Sequence, residues 1–324
     1  MASSQAILER GRGRRAAIPS EIPAPGWKDI LLRVWKNIGE DRVMLVSAGV
    51  TFYCLLSIFP AIAALVAIYG FFSDPASISS HVDKLSEVMP DGALDVIRNQ
   101  MNQVTLQGPS KLGVAFIISF LVSLWSANAG IKSILDALNL VYDEPEKRGL
   151  IRLNLLSLAF TVAAILFILV AIACIAALPA VASSQLQGAT AVIAQIVRWP
   201  ILFIIIAVGL AFVYRYGPSR AEPQRRWITW GSAFASIAWI AVSLGFSWYA
   251  ANFGSYNKTY GSLAAVVVLM FWLWLSAAII LIGAELDAEM ENQTTRDTTV
   301  GRGKPMRARG ARMADTVGAA QDRQ

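Results

Sequence analysis

The feature that most constrains this chain is a long interval without charge. No Asp, Glu, Lys or Arg lies between Arg152 and Arg198. That stretch is too long for one membrane span and too apolar for a loop in water, since about 20 helical residues cross the ~30 Å hydrocarbon layer of a membrane. We therefore divide it at the polar, glycine-containing segment 183–188, where water can satisfy the backbone of a turn.

The same criterion predicts six spans in the whole chain. They cover residues 43–72, 112–135, 153–181, 196–213, 228–251 and 261–283. None alternates with the period of two that a strand of a membrane barrel shows, so we interpret all six as helices. Because 56% of the residues are hydrophobic and only 15% are charged, an ordinary water-soluble fold is excluded. The sequence thus predicts an all-α, polytopic membrane bundle with six transmembrane helices.

The basic residues predict the orientation of this bundle. Of the 28 Lys and Arg residues, 22 fall in the N-terminal tail, the loops after the second and fourth spans, and the C-terminal tail. Lys and Arg near span ends stay on the cytoplasmic side of a membrane, so we expect both termini to be cytoplasmic. The first span is expected to act as the insertion signal, because the residues before it lack the apolar core of a cleavable signal peptide.

The expected domain organisation is a membrane domain, 27–291, between two tails. Residues 1–26 and 292–324 are rich in Gly, Arg, Ala, Ser and Thr, and we expect both tails to be disordered, since few apolar groups offset the entropy of ordering. Segment 74–110 has helical periodicity and predicts a helical hairpin on the outer face. It either caps a cavity or connects the first two spans.

Segment 27–39 also has helical periodicity, with apolar residues on one side. We expect this helix to lie along the inner leaflet, where four of its residues contact anionic lipid headgroups: Trp27, Lys28, Arg33 and Lys36. A plain packing helix is the alternative.

Polar side chains inside apolar spans are costly, and they usually face the bundle interior. We predict that eight of them line a polar path: Thr51, Tyr53, Ser57, Asn128, Lys132, Asp136, Ser262 and Glu285. Lys132 either pairs with Glu285, pairs with Asp136 one turn away, or extends to the interface. Pro60 is a candidate hinge because it removes one backbone hydrogen bond, although helix packing alone would also accommodate it.

The composition argues against several chemistries. The chain has one His, His81, and two Cys, Cys54 and Cys174, whereas zinc sites and triad hydrolases need several such side chains to converge. We therefore expect no catalytic residues, no metal and no cofactor. The basic tails could hold RNA or anionic lipid electrostatically, but we expect no specific nucleic-acid partner. Homo-oligomerisation is left open.

Several blocks resemble the YihY/BrkB family of membrane proteins. They are residues 48–60, 124–128 with Asn139 and Tyr142, 214–216 before Pro218, 260–265, and 283–286. The resemblance implies a bacterial inner-membrane protein of six helices whose activity is unsettled. It also implies that two labels attach to this chain, virulence factor BrkB and ribonuclease BN. The nuclease label conflicts with the residues, because metal-dependent RNA cleavage needs clustered His and carboxylate groups.

Two functional hypotheses follow from the polar residues. The first is a transporter or exporter of a lipid or small solute, with the first, second and sixth spans lining its path. The second is a non-transporting membrane protein that binds partners or lipids, supports envelope integrity and is linked to resistance to killing. A cavity lined by the polar residues favours the first hypothesis, and a solidly packed bundle favours the second.

Overall fold

A computed structural model describes residue 9 and residues 11–72, 114–185, 189–252 and 262–321 of this chain. Two helices at the start, α1 (Ala24–Glu40) and α2 (Val43–Phe72), are bent by 60° relative to each other. The other long helices are α3 (Val114–Val141), α4 (Leu150–Gln185), α5 (Ala189–Tyr216), α6 (Arg225–Asn252) and α7 (Ser262–Glu291), and a short helix, α8 (Arg312–Asp315), follows. The described residues contain no β-strand, which confirms the predicted all-α class.

The six helices α2 to α7 form a closed ring. Each helix packs on the next along the chain, α7 returns to α2, and α7 also contacts α3. Among the side chains that the structure describes, the buried core includes Leu138, Tyr142, Tyr214 and Leu281. The ring also carries many exposed apolar side chains, such as Phe271, as expected where lipid rather than water surrounds a protein.

Each of the six long helices contains most of a predicted span. Among the described residues, three stretches are long and apolar enough to cross a membrane: Leu150–Phe167, Arg225–Phe246 and Val266–Glu291. The bent pair α1 and α2 supplies a fourth if it is taken as one span, and Pro200–Tyr216 in α5 is a shorter apolar stretch. The chain is therefore a helical membrane bundle, and the count of six spans stays a prediction.

Helices α6 and α7 cross at two glycines. A Cβ atom on Gly231 would overlap the carbonyl oxygen of Gly283 and would lie 2.5 Å from Cγ of Asp287. A Cβ on Gly283 would lie 2.7 Å from both Cβ of Ala235 and Oη of Tyr214. Small residues at helix interfaces allow this close backbone approach.

The described parts of both tails are packed, which corrects the expectation of disorder. Arg14, Ala16 and Ile22 are buried in the N-terminal segment, as are Thr298 and Arg309 in the C-terminal segment. The two segments touch each other, since Thr295 N–H donates to the Arg14 carbonyl at 2.8 Å. Composition did not indicate this order, because hydrogen bonds hold these segments in place together with a few buried apolar side chains, such as Ile22 and Met313.

Arg309 illustrates how a polar tail is ordered. Its guanidinium donates to the carbonyl oxygens of Thr295, Arg296, Lys304 and Ala314. Arg312 forms an ion pair of 2.7 Å with Asp143 in the loop between α3 and α4. Both tails and the loops 142–149 and 217–224 therefore lie at one end of the ring, which we call the terminal end. The predicted hairpin 74–110 lies outside the described residues.

Candidate functional site

The last turns of α7 carry four acidic residues at alternate positions, which we call the acid row: Glu285, Asp287, Glu289 and Glu291. All four are buried at the terminal end, with at most 2% of each residue exposed. Residues two apart on a helix point to nearly opposite sides, whereas residues four apart share a face. Glu285 and Glu289 therefore face α1, and Asp287 and Glu291 face α6 and the loop that precedes it.

On the α1 side, Glu289 is paired with a buried arginine. Arg33 Nε donates to Oε2 of Glu289, and Arg33 Nη2 donates to Oε1 of Gln293 at 2.6 Å. Asn37 Nδ2 donates to the other carboxylate oxygen of Glu289 at 2.9 Å. These contacts join α1 to α7 and to the start of the C-terminal segment.

Glu285, one turn earlier on the same face, has no such partner. Neither of its carboxylate oxygens has a hydrogen bond within the described part of the chain. The side chains that face it from α1 and the α1–α2 junction are Asn37 and Asp41. Burial raises the pKa of Asp41. Arg33, the arginine on this face of α7, pairs with Glu289 rather than with Glu285.

The opposite face of the acid row has the same arrangement. Glu291 accepts a hydrogen bond of 2.9 Å from Arg220 Nη2 and another of 2.8 Å from Thr298 Oγ1. Asp287 accepts a hydrogen bond from the backbone N–H of Gly231 at 2.7 Å, while its second oxygen has no partner among the described residues. On each face of α7, the acid nearer the end of the helix, Glu289 or Glu291, pairs with an arginine. The acid one turn earlier, Glu285 or Asp287, does not.

A cavity of about 180 Å³ lies between α2, α3, α6 and α7. Its lining is mostly apolar and includes Thr51, Cys54, Trp239, Trp272, Ser276 and Ala277. We call this space the hydrocarbon cavity.

The polar groups of the cavity lining are bonded within the protein. Thr51 Oγ1 donates to the Ser47 carbonyl at 2.7 Å. Trp239 Nε1 donates to Ser276 Oγ at 2.9 Å, and Trp272 Nε1 donates to Ser243 Oγ at 3.3 Å. Because these donors are already satisfied, the cavity offers a bound molecule mainly van der Waals contact.

The residues of the predicted polar path do not meet along one route. Thr51 lines the cavity, whereas Ser57 accepts a hydrogen bond of 2.9 Å from Gly130 N–H at the α2–α3 contact. Tyr53 and Asp136 are exposed on the outside of the ring. Glu285 lies at the terminal end, and the side chain of Ser262 lies outside the described residues. Pro60 lies inside the continuous helix α2.

The remaining path residues, Asn128 and Lys132, contact α4. Thr161 Oγ1 donates to Asn128 Oδ1 at 3.2 Å, and Lys132 Nζ donates to Asn154 Oδ1 at 2.5 Å. The ammonium of Lys132 also lies 5.3 Å from the centre of the Trp125 ring.

Lys132 therefore pairs with neither Glu285 nor Asp136. The partners in α4 were missed, although Asn154 and Thr161 recur with Ser157 at intervals of three and four residues. That spacing is typical of a polar face on a helix. It was the signal in the sequence that could have identified them.

The four residues predicted to contact lipid headgroups differ in their exposure. Lys28 and Lys36 are exposed, and Trp27 is half-buried with its ring 5.6 Å from that of Trp230. Arg33 is buried against Glu289, so its assignment to lipid headgroups is wrong. The acid row attracts this arginine inward, because an unpaired buried carboxylate is more costly than an exposed one. Helix α1 thus packs on α7 with one face and leaves the other uncovered.

No group of three or more His, Cys, Asp or Glu residues in the described ranges is arranged to hold a metal ion.

The sequence was also compared with known proteins. The YfkH protein of Bacillus subtilis (strain 168), whose name describes it as ribonuclease-like, is 29% identical over 81% of this chain and 93% of its own length. A UPF0761 membrane protein of Methylibium petroleiphilum is 24% identical over 87% of this chain and 67% of its own length.

A UPF0761 membrane protein of Xanthomonas campestris pv. campestris (strain B100) is 24% identical over 79% of this chain, which spans 59% of that relative's length. The comparison with solved structures found no significant match. The family model described as Virulence factor BrkB matches residues 34–309, which include every helix from α2 to α7. The chain therefore belongs to the Virulence factor BrkB family of membrane proteins.

Proposed function

We propose that this protein transports a lipid across the bacterial inner membrane and that part of the lipid's hydrocarbon chain occupies the hydrocarbon cavity. The observation that supports the proposal is the combination of an apolar lining with polar groups that are already bonded within the protein. A small polar solute would lose its hydration there and gain few hydrogen bonds. A hydrocarbon chain has no hydrogen bonds to water to lose on entering the cavity.

The size of the cavity agrees with partial entry of a lipid. At about 180 Å³, it is somewhat larger than an engineered cavity of roughly 150 Å³ that binds benzene. Pockets that enclose a whole drug-sized molecule start near 300 Å³. The cavity therefore holds a segment of a chain, while the headgroup stays outside it.

The orientation is part of the same proposal. The terminal end collects both tails and the two loops in which the basic residues are concentrated. We place this end in the cytoplasm, because Lys and Arg near span ends are retained there. We also propose that the protein has no nuclease activity, although a relative carries the word ribonuclease in its name.

A flux assay tests the transport proposal. The purified protein is reconstituted into vesicles that contain a lipid with a fluorescent headgroup, and a membrane-impermeant quencher reports how fast the inner-leaflet lipid reaches the outer leaflet. Ala277→Phe fills the cavity, and Val267→Phe introduces the same aromatic ring on the exposed face of α7. We expect Ala277→Phe to slow the flux and Val267→Phe to leave it unchanged, with both variants eluting as folded protein.

A second candidate is a lipid-binding envelope protein that does not transport. It is favoured by the separate contacts of Ser57, Asn128 and Lys132, which hold helices together rather than line one route. Flux equal to that of protein-free vesicles, together with lipid that still co-purifies with the protein, would support this candidate and reject transport.

A further inference from the structure

Among the buried polar atoms at the terminal end that have no hydrogen-bond partner in the described part of the chain, four belong to three residues that lie close together. These four atoms are Nε and Nη1 of Arg220, Oη of Tyr142 and Oδ2 of Asp287. Buried polar atoms in proteins are nearly always bonded, either to protein or to ordered water. Four orphaned atoms on three neighbouring residues therefore need a common explanation.

These three residues belong to one cluster. The guanidinium carbon of Arg220 lies 3.9 Å from the centre of the Tyr142 ring. Arg220 also pairs with Glu291, which is one turn after Asp287 on the same face of α7. Asp287 also lies close enough to Arg220 and Tyr142 to interact with both electrostatically. The orphaned atoms thus come from the end of α3, the α5–α6 loop and α7, where these elements meet.

The chemistry of the four atoms restricts what can join them. The guanidinium only donates hydrogen bonds, the carboxylate only accepts them, and the phenol does both. A bridging molecule must therefore accept from Arg220 and donate to Asp287. An anion would be repelled by Asp287 and Glu291, and a metal cation would be repelled by Arg220. Water has both functions and fits a small polar site.

We propose that bound water bridges Arg220, Tyr142 and Asp287 and forms a hydrated site inside the bundle. The site explains how Asp287 is buried without an arginine of its own, since water links its second oxygen to the guanidinium that serves Glu291. The inference is independent of the proposed transport function, because it concerns only the contacts at the terminal end.

A second tyrosine provides a matched control. Tyr142 and Tyr214 are both fully buried. The hydroxyl of Tyr214, however, donates to the Ile280 carbonyl at 2.7 Å, whereas that of Tyr142 is among the orphaned atoms. The two side chains therefore differ in their bonding rather than in their exposure, and only Tyr142 is expected to lie beside bound water.

Hydroxyl-radical footprinting of the full chain in lipid nanodiscs tests the proposal. A short X-ray pulse generates radicals from bound water as well as from bulk water, and mass spectrometry locates the oxidised side chains. We expect Tyr142 to be oxidised several-fold faster than Tyr214. Access through transient opening of the bundle would label both residues alike. Equal rates at Tyr142 and Tyr214, or protection of Tyr142, would overturn the proposal and leave the ring face as the contact of the spare Arg220 N–H groups.

Discussion

The acid row predicts that two identical substitutions, one turn apart, have different effects. Glu289→Gln removes the charge that pairs with Arg33, while Glu285→Gln replaces a carboxyl group that has no cation beside it. Breaking a buried ion pair by removing one partner costs about 3–5 kcal/mol. Arg33 keeps its hydrogen bonds to Gln293 Oε1 and the Ala319 carbonyl in the first variant, so we expect the lower end, about 3 kcal/mol.

Glu285→Gln should be neutral or slightly stabilising. The amide takes the place of a carboxyl group that is part of no ion pair, and it can donate a hydrogen bond to the neighbouring carboxyl group of Asp41. The assay is thermal unfolding of both variants in the same detergent. By the usual scaling of about 2–4 °C per kcal/mol, Glu289→Gln should lower the midpoint by roughly 6–12 °C. An equal decrease of the midpoint in both variants, or a larger decrease in Glu285→Gln, would refute the conclusion that Arg33 pairs with Glu289 and not with Glu285.

Three other predictions follow from the structure. Gly231→Ala should destabilise the protein by several kcal/mol in a detergent unfolding assay, since its methyl group overlaps α7, whereas Gly245→Ala, with nothing near its Cβ position, should not. Burial alone would raise the pKa of Glu146, but hydrogen bonds from Arg148 lower it to about 2. The loop that contains Glu146 should therefore lose protection from hydrogen exchange as the pH falls from 4.5 towards 2. Equal protection of the loop at both pH values would contradict this. A spin label at Trp35, which is 79% exposed on the uncovered face of α1, should report a lipid environment in anionic nanodiscs, and contact with water alone would reject the interfacial helix.

The six apolar intervals were predictable because a membrane imposes a length and a polarity that a single sequence displays directly. Each interval lies largely within one of the long helices. The packing of the polar C-terminal segment was not predictable in this way. Arg309 is ordered by four carbonyl oxygens of its own segment, and composition carries no information on such contacts.

The candidate site was predicted only in part, for a related reason. Glu285 was identified as a polar residue inside the bundle, but Lys132, for which Glu285 was one of the alternative partners, bonds to Asn154 in a different helix. Arg33 had been assigned to the membrane surface because it lies in an amphipathic helix, and it turns inward to Glu289. Helical periodicity indicates which residues share a face, whereas the choice of partner depends on how the helices are arranged around the ring.

Photo-crosslinking shows whether a lipid chain occupies the hydrocarbon cavity. A phospholipid with a diazirine near the middle of its acyl chain is incorporated into nanodiscs with the protein, irradiated, and the crosslinked residues are mapped by mass spectrometry. We expect adducts on cavity residues such as Thr51 and Cys54, which decrease in Ala277→Phe. Adducts confined to outward-facing residues such as Phe271, and unchanged in that variant, would contradict it.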